Sequence, residues 1–335
     1  MVEAEVIRLV GLMDPEGEEE EQEGLCQEVE HLMRENPEGK RALMRNNLVI
    51  PLIEMLDTSS PLVATRALRA VHEAITDRLV SDGGAEYTGA IGVSLPILER
   101  LCTVGLLHRL LRHCRLPEGG GGRNSDTALT IGGVEGWRMT QQQAAVVLHS
   151  VCWGSDPTHG RMIVACGGIP VLVGLLCADP PVNHVALDCL WAIVNLPPHT
   201  PKLDLCRLLA RAKGAEPLAR MLEFAFSDAS KLQGVDSDGW TNLAWQQADR
   251  VSSLLVLFSL GDSVVRGDLA GASTLSLLLG VVELGHSSLP PRLRKPYLKV
   301  LRSIRHLASD TAALEPLQMA GALRILVPQL NACAP

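Results

Sequence analysis

The stretch Thr158–Leu176, "THGRMIVACGGIPVLVGLL", decides the fold, because nearly the same phrase occurs twice more in the chain. The other copies are "NPEGKRALMRNNLVIPLIEML" at 36–56 and "TAALEPLQMAGALRILVPQL" at 311–330. Each copy places a short apolar helical segment before a glycine or an asparagine and a second one after it. Residues of these two types suit a left-handed turn between helices. The phrase therefore predicts a repeated helix–turn–helix unit.

The turn positions predict how many units there are. Successive turns are separated by 58, 62, 47, 57 and 50 residues, and the shortest spacing is typical of helical repeats of about 40–47 residues. The additional length is expected in insertions near 77–93, 115–138 and 227–242. A longer third helix follows in most copies, most clearly in "VNHVALDCLWAIVNL" at Val182–Leu196, and no alternating run indicates strands. The six turn residues are Asn47, Gly105, Gly167, Gly214, Gly271 and Gly321.

A short–medium–long helix triplet with a G-A-x-x-x-L-V turn resembles the armadillo repeat. This resemblance implies an all-α, right-handed armadillo-type α-solenoid of about six three-helix repeats over residues 24–335, the last repeat being incomplete. Residues 1–23 are expected to contain the last helix of a preceding unit and an acidic linker with Glu16 and Glu18–Glu21. Both edges predict that the parent protein continues beyond this chain.

The C-terminal third carries a narrower resemblance. The segment "LKVLRSIRHLASDTAALEPLQMAGAL" is similar to the C-terminal armadillo region of fungal septation and mitotic-exit kinases and of plant epsilon-type MAP kinase kinase kinases. Near the other end of the chain, "ENPEGKRALMRNNLVIPLIEML" at 35–56 is similar to the opening of the same region. The resemblance implies a regulatory, protein-binding region in the cytoplasm, at the spindle pole body or the division site. The implied partners are a Ras-like small GTPase, a spindle-pole scaffold and other kinases of a cytokinesis cascade.

The motifs of a kinase domain do not occur in the sequence. There is no glycine-rich nucleotide loop after a strand, no V-A-I-K lysine, no H-R-D and no D-F-G. The four glycines Gly119–Gly122 have no following Lys-Ser/Thr and are interpreted as a flexible insertion. We therefore expect a scaffold without catalytic activity and without a cofactor. A protein kinase subunit and a stand-alone armadillo adaptor remain open as alternatives.

Composition excludes several other classes of protein. A net charge of −8 argues against a nucleic-acid binder, which needs a basic face. The nine cysteines form no CxxC pair and are predicted to be buried thiols in a reducing compartment. The spacing of His108, His113 and Cys114 does not fit a metal site. The uncharged segment Met162–Ala178 is interpreted as a buried helix–turn–helix rather than a membrane span.

The third helices are the candidate binding surface, because stacked repeats leave them lining a groove. Trp191 and Asn195 lie four residues apart and so share a face. Asparagine can pair with both polar groups of an extended backbone, and tryptophan can stack on a cation or an aliphatic stem. Importin-type armadillo proteins repeat this pair, which makes an importin-like peptide adaptor an alternative function. The other copies place different residues at the matching positions: Arg69 and Glu73, His149 and Trp153, Val256 and Leu260, and Arg302 and His306.

Overall fold

The structure is a computed structural model that describes residues 2–78, 91–103, 105–115, 131–153, 157–195, 201–231, 238–285 and 290–332. The run Gly119–Gly122 and Cys333 lie outside these residues. The chain divides into two compact units, Met1–Val171 and Leu172–Pro335, which we call unit 1 and unit 2.

The α-helices described in unit 1 range from six to 22 residues in length. A single 3₁₀ turn, Met55–Asp57, follows α4. The α-helices are α1 (Val2–Gly11), α2 (Glu19–Glu35), α3 (Pro37–Arg45), α4 (Val49–Glu54), α5 (Pro61–Ile75), α6 (Leu95–Thr103), α7 (Leu106–His113), α8 (Ile131–Cys152), α9 (Pro157–Ala165) and α10 (Gly168–Leu175), the last of which extends into unit 2.

Unit 2 continues the same pattern. A 3₁₀ turn, Pro291–Leu293, precedes its last long helix. The α-helices are α11 (Val182–Val194), α12 (Lys202–Arg211), α13 (Ala215–Lys231), α14 (Asp238–Ser259), α15 (Ser263–Leu269), α16 (Ala272–Leu284), α17 (Arg294–Ala308), α18 (Thr311–Met319) and α19 (Ala322–Ala332).

The helices from α3 onward fall into the predicted triplets, with α18 and α19 as the incomplete last one. The helices that end each triplet are called the third helices, and they are α5, α8, α11, α14 and α17. In unit 1, α5 packs against α2 on one side and α8 on the other; in unit 2, α14 packs between α11 and α17. Their shared core is aliphatic: Leu68, Val147, Leu255 and Val300 are fully buried. Burying one such side chain stabilises the fold by about 1.5–3 kcal/mol.

The turns within the triplets are left-handed at four of the six predicted residues. Asn47, Gly105, Gly167 and Gly321 have φ values of 55°, 97°, 77° and 83°. In the fourth triplet the preceding residue, Lys213, is left-handed at φ 60°, and the N–H of the next residue closes a hydrogen bond to Leu209 O at 2.9 Å.

The prediction of a left-handed turn at Gly271 is wrong. This residue has φ −58° and ψ 139° and caps the N-terminus of α16. Its carbonyl accepts the first hydrogen bond of that helix from Leu275 N at 2.9 Å, and a residue in this role has an extended backbone instead of a left-handed one.

The insertions are shorter than predicted. The segment expected at 115–138 already contains the start of α8 at Ile131, and α13 and α14 extend into 227–242 from both sides. A Cβ atom on Gly136 would lie 3.0 Å from Pro61 Cγ, so the glycines of this stretch allow α8 to pack closely against the start of α5. Tertiary packing of this kind overrides helix propensity.

The structure also contains two short strands where none was predicted. β1 (Thr76–Arg78) and β2 (Ile91–Val93) pair antiparallel at the two ends of the 77–93 insertion. The pairing is extended by Ser94 N–H, which donates to Ile75 O at 2.7 Å. The short ladder therefore lies between the end of α5 and the start of α6 and leaves the fold of the described residues all-α in class.

The N-terminal 23 residues differ from the expected helix and linker. The acidic run Glu18–Glu21 is not a linker, because α2 begins at Glu19 and takes three of these carboxylates into its first turn. Negative charge there interacts favourably with the helix dipole. It is α2, not α1, that packs against α5 as a third helix does, while α1 packs on α2, α3 and α4. The division into 1–23 and 24–335 stays a prediction.

Candidate peptide-binding surface

Each third helix has one partly exposed stripe opposite a buried face. On α5 the stripe is formed by Leu62, Arg66, Arg69 and His72, at spacings of three and four residues. Residues with these spacings lie on one face of a helix, and neighbouring third helices pack side by side within each unit. We call it the third-helix surface of unit 1 or of unit 2.

The predicted residues Arg69 and Glu73 lie together on the third-helix surface of unit 1. Glu73 is buried, and its Oε1 accepts a hydrogen bond from Arg34 Nε of α2 at 3.3 Å. The same Arg34 also pairs with Glu30. Glu73 therefore joins α5 to α2, while Arg69 borders a polar pocket of about 240 Å³. The other residues lining this pocket are Glu30, Arg34, His72, Glu73 and Gln143.

A histidine–tryptophan pair lies further along the same surface. The rings of His149 and Trp153 are 5.9 Å apart and inclined by 39°. Trp153 follows the end of α8 and is 50% exposed. The nearby His72 lies 3.1 Å from Ser150 Oγ through its Nε2, and burial lowers the pKa of its imidazole. The structure thus brings together the predicted pair as an exposed aromatic platform.

In unit 2, the predicted residues Trp191 and Asn195 lie at the C-terminal end of α11. The helix α11 ends at Val194, so Asn195 is its C-cap. The Nδ2 of Asn195 donates to the carbonyl of Trp191 at 2.8 Å, and this asparagine amide therefore satisfies the end of its own helix. Trp191 remains half-buried on the third-helix surface. The prolines at 197–198 of the sequence could have indicated this helix end.

Ion pairs connect the three third helices of unit 2. Asp188 of α11 pairs with Arg250 of α14. Asp249, the residue before Arg250 on α14, accepts from Lys299 Nζ of α17 at 2.6 Å. Lys295 Nζ lies 3.5 Å from the same carboxylate. These contacts, between residues about 50 positions apart in sequence, could not be predicted from one sequence.

The remaining predicted residues lie on α14 and α17. His306 Nδ1 is 3.0 Å from Ser259 Oγ. Desolvation lowers the pKa of His306, and the positive charges of Arg302 and Arg305 lower it further. Arg302 is exposed, as is Leu260, while Val256 is half-buried. His306 therefore contributes to helix packing, and Arg302 is available to a ligand.

Sequence reasoning missed an apolar pocket of about 330 Å³ in unit 2. Its walls come from the start of α11, one face of α13 and the start of α14. Phe224 on α13 borders it and is 61% exposed. The signal in the sequence was the spacing of Pro217, Met221 and Phe224, which places three apolar residues on one face of α13.

Within the described part of the chain, no group of three or more His, Cys, Asp or Glu side chains is placed to hold a metal ion. His113 instead donates from Nε2 to Leu56 O at 2.6 Å and stacks on Trp137 with ring centroids 6.0 Å apart. No single described helix is long and apolar enough to cross a membrane, although two bent helix pairs, Thr158–Ala165 with Gly168–Leu175 and Ser263–Leu269 with Ala272–Leu284, have the length and composition.

The fold and this surface define an armadillo-type repeat protein. A designed armadillo repeat protein solved in complex with the peptide (KR)4 matches it with a TM-score of 0.53 at 15% identity, covering 89% of this chain and 99% of the designed one. No family model matches the sequence.

The predicted resemblance to the septation and epsilon-type kinases is confirmed by two kinds of relative. MAP3K epsilon protein kinase 1 of Arabidopsis thaliana is 28% identical over 255 residues, which are 74% of this chain and 16% of the relative. Cytokinesis protein sepH of Aspergillus terreus is 26% identical over 176 residues, which are 51% of this chain and 12% of the relative. The chain thus matches a small part of each relative, and that part lies outside the kinase domain.

Proposed function

We propose that this chain is a non-catalytic protein-interaction region that binds extended segments or helices of partner proteins on its third-helix surfaces. The observation that carries this proposal is the stripe of polar and aromatic side chains on each third helix, opposite a fully packed face. Trp153 and Arg302 are both exposed there. The peptide in the designed armadillo neighbour supports the same mode of binding.

We further propose that residues 24–335 are the regulatory armadillo region of a cytokinesis-type serine/threonine kinase. The similarity to sepH and to MAP3K epsilon, outside their kinase domains, supports this role. The partners would be a Ras-like small GTPase, a spindle-pole scaffold or other kinases of the cascade, and the location the cytoplasm and the division site. Purified partners of these three classes should be retained by the immobilised full chain, and retention of none of them would refute the assignment.

The general proposal is tested by panning a random peptide library on the immobilised full chain and measuring the affinity of the selected peptides by fluorescence polarisation. Trp153→Ala and Trp191→Ala should weaken the peptides that bind the corresponding unit by about tenfold, since a lost aromatic contact costs about 1–2 kcal/mol. The control is Leu203→Ala, which should leave the affinity unchanged. Leu203 is an exposed leucine on α12, which is the first helix of its triplet, as α9 is of the triplet before it. Failure to select any peptide would contradict the proposal.

The kinase alternative predicts nucleotide binding by the same chain. Calorimetric titration with ATP and Mg²⁺ should give no heat of binding if the chain is only an interaction region. A dissociation constant in the micromolar range would overturn the non-catalytic assignment.

The importin-like alternative is favoured by Trp191 and by the basic peptide in the designed neighbour. It is disfavoured by Asn195, whose amide bonds its own helix. Binding of a repeated Lys-Arg peptide that disappears in Trp191→Ala and Asn195→Ala would support it, whereas unchanged binding in both variants would exclude it.

A further inference from the structure

The sequence around α17 is strongly basic in an otherwise acidic chain. Between Glu283 and Asp310 there is no acidic residue, although the whole chain has a net charge of −8. The Lys and Arg residues of this interval are Arg292, Arg294, Lys295, Lys299, Arg302 and Arg305.

Helical spacing places most of these charges on one exposed face. Arg294, Leu298, Arg302 and Arg305 follow one another at intervals of four, four and three residues, and Lys295 lies beside them. All five are exposed, and Leu298 in the middle is 63% exposed. We call these five residues the α17 strip. The opposite face of α17 carries buried residues, among them Pro296, Val300 and Leu307.

Three arginines of the strip are not neutralised by the protein itself. Across the residues that the structure describes, Arg294, Arg302 and Arg305 have no carboxylate within ion-pair distance. Arginines on other third helices differ, since Arg66 pairs with Glu23 at 2.9 Å and Arg250 pairs with Asp188. Like charges gathered on one face without counter-charges disfavour the free state and attract an acidic ligand.

The chemistry of the strip selects one kind of ligand. An exposed leucine between arginines fits an extended peptide that carries carboxylates and one apolar side chain, because each arginine can bind a carboxylate in a bidentate way. A nucleic acid is disfavoured as the ligand, because its phosphates would meet the repulsion of a protein with a net charge of −8. We propose that the α17 strip binds an acidic segment of a partner protein, with Leu298 as the apolar contact. This inference rests on the proposed function and names the chemistry of its ligand.

The test measures binding of a fluorescein-labelled peptide of repeated Glu-Ser with one central leucine to the full chain. The double variant Arg302→Glu with Arg305→Glu should bind at least about tenfold more weakly, a change of about 1.4 kcal/mol. Raising the salt concentration should weaken binding to the unaltered chain, because exposed charges are screened. Leu298→Ala should weaken binding to this peptide but not to one with serine in place of leucine.

A charge-matched control is available on the first helices. Arg161 on α9 and Arg211 on α12 are both exposed, and reversing both to glutamate changes the net charge by the same amount. The control variant should bind as the unaltered chain does. If both double variants lost the same affinity for the acidic peptide, the effect would come from net charge alone and the inference would be overturned. Binding of poly-uridylate RNA as tightly as the acidic peptide would overturn it as well.

The remaining outcomes separate this inference from the proposed function. Binding of only the Lys-Arg peptide, or of only uncharged peptides, would refute the α17 strip as an acidic-segment site and leave the interaction role intact. No binding of any library peptide would refute both. Salt-sensitive dimers in sedimentation velocity that disappear in the Arg302→Glu, Arg305→Glu variant would identify a second copy of this chain as the occupant and overturn the assignment to a partner protein.

Discussion

Three glycines, one in the turn between α9 and α10 and two in α10 itself, should respond to alanine in three different ways. Gly167 is left-handed at φ 77°, and an added Cβ there would meet nothing within 4 Å. The cost of Gly167→Ala is therefore only that of a left-handed alanine, about 1–2 kcal/mol. The lower entropy of the unfolded variant offsets about 0.4–1 kcal/mol of it, which leaves a loss of about 1 kcal/mol.

The neighbouring Gly168 should be far less tolerant. A Cβ on this residue would lie 2.4 Å from Ile163 Cγ2 and 2.7 Å from Ile163 O. Relief of this overlap requires the backbone of α9 and α10 to move apart, and overpacking of this kind costs about 1–3 kcal/mol. We therefore expect Gly168→Ala to lose more stability than Gly167→Ala.

The matched control is Gly174, an exposed residue of α10 with nothing within 4 Å of an added Cβ. Alanine is a better helix former than glycine by about 0.5–1 kcal/mol, so Gly174→Ala should stabilise the protein. Urea unfolding followed by circular dichroism gives all three values. If Gly167→Ala were as stable as Gly174→Ala, the left-handed turn would not explain why the phrase repeats its glycine.

Three further predictions concern charge and thiol chemistry. Burial lowers the pKa of His72 and His113, so the unfolded chain binds more protons than the folded one below its histidine pKa of about 6.5. The stabilisation from keeping these two histidines neutral is complete above that pH, and the free energy of unfolding should fall as the pH drops toward about 5. If His113→Asn gave the same dependence of stability on pH, the assignment to His113 would be refuted. Burial raises the pKa of Cys26, Cys102 and Cys114 to about 12 and that of Cys206 to about 11. N-ethylmaleimide at neutral pH should label the exposed Cys177 before these four thiols, which should react only after unfolding. Early labelling of Cys114 in peptide mass spectra would contradict the packing. Asp249→Asn should destabilise unit 2 by about 1 kcal/mol, because it weakens the partly buried ion pair with Lys299. If a double-mutant cycle with Lys299→Met gave no coupling energy, this ion pair would contribute nothing to stability.

The repeat could be predicted from the sequence because the turn residue is under a backbone constraint that few amino acids satisfy. Gly105, Gly167 and Gly321 are left-handed as predicted, and so is Asn47. Two predicted residues are exceptions. At Gly214 the left-handed residue is the preceding Lys213, and Gly271 shows the limit of this reasoning, since glycine is also compatible with the extended N-cap that the structure has there.

The candidate binding surface was only partly predictable. The exposed positions of Trp153 and Arg302 follow from helical spacing alone. The burial of Glu73 does not, because it depends on Arg34 of another helix, 39 residues away. The C-cap position of Asn195 was not predicted either, because it depends on where α11 ends, at Val194. Its Nδ2 donates to Trp191 O, and its role as a ligand contact stays a prediction.

Hydrogen exchange of the full chain, with and without a selected peptide, tests most directly whether the third-helix surfaces bind other polypeptides. Mass spectrometry of the peptic fragments should show new protection on α5, α8, α11, α14 or α17 of the unit that binds, because backbone amides under a bound peptide open less often. The first helices α9 and α12 should exchange as before. Protection confined to first helices, or no protection at saturating peptide, would contradict the account.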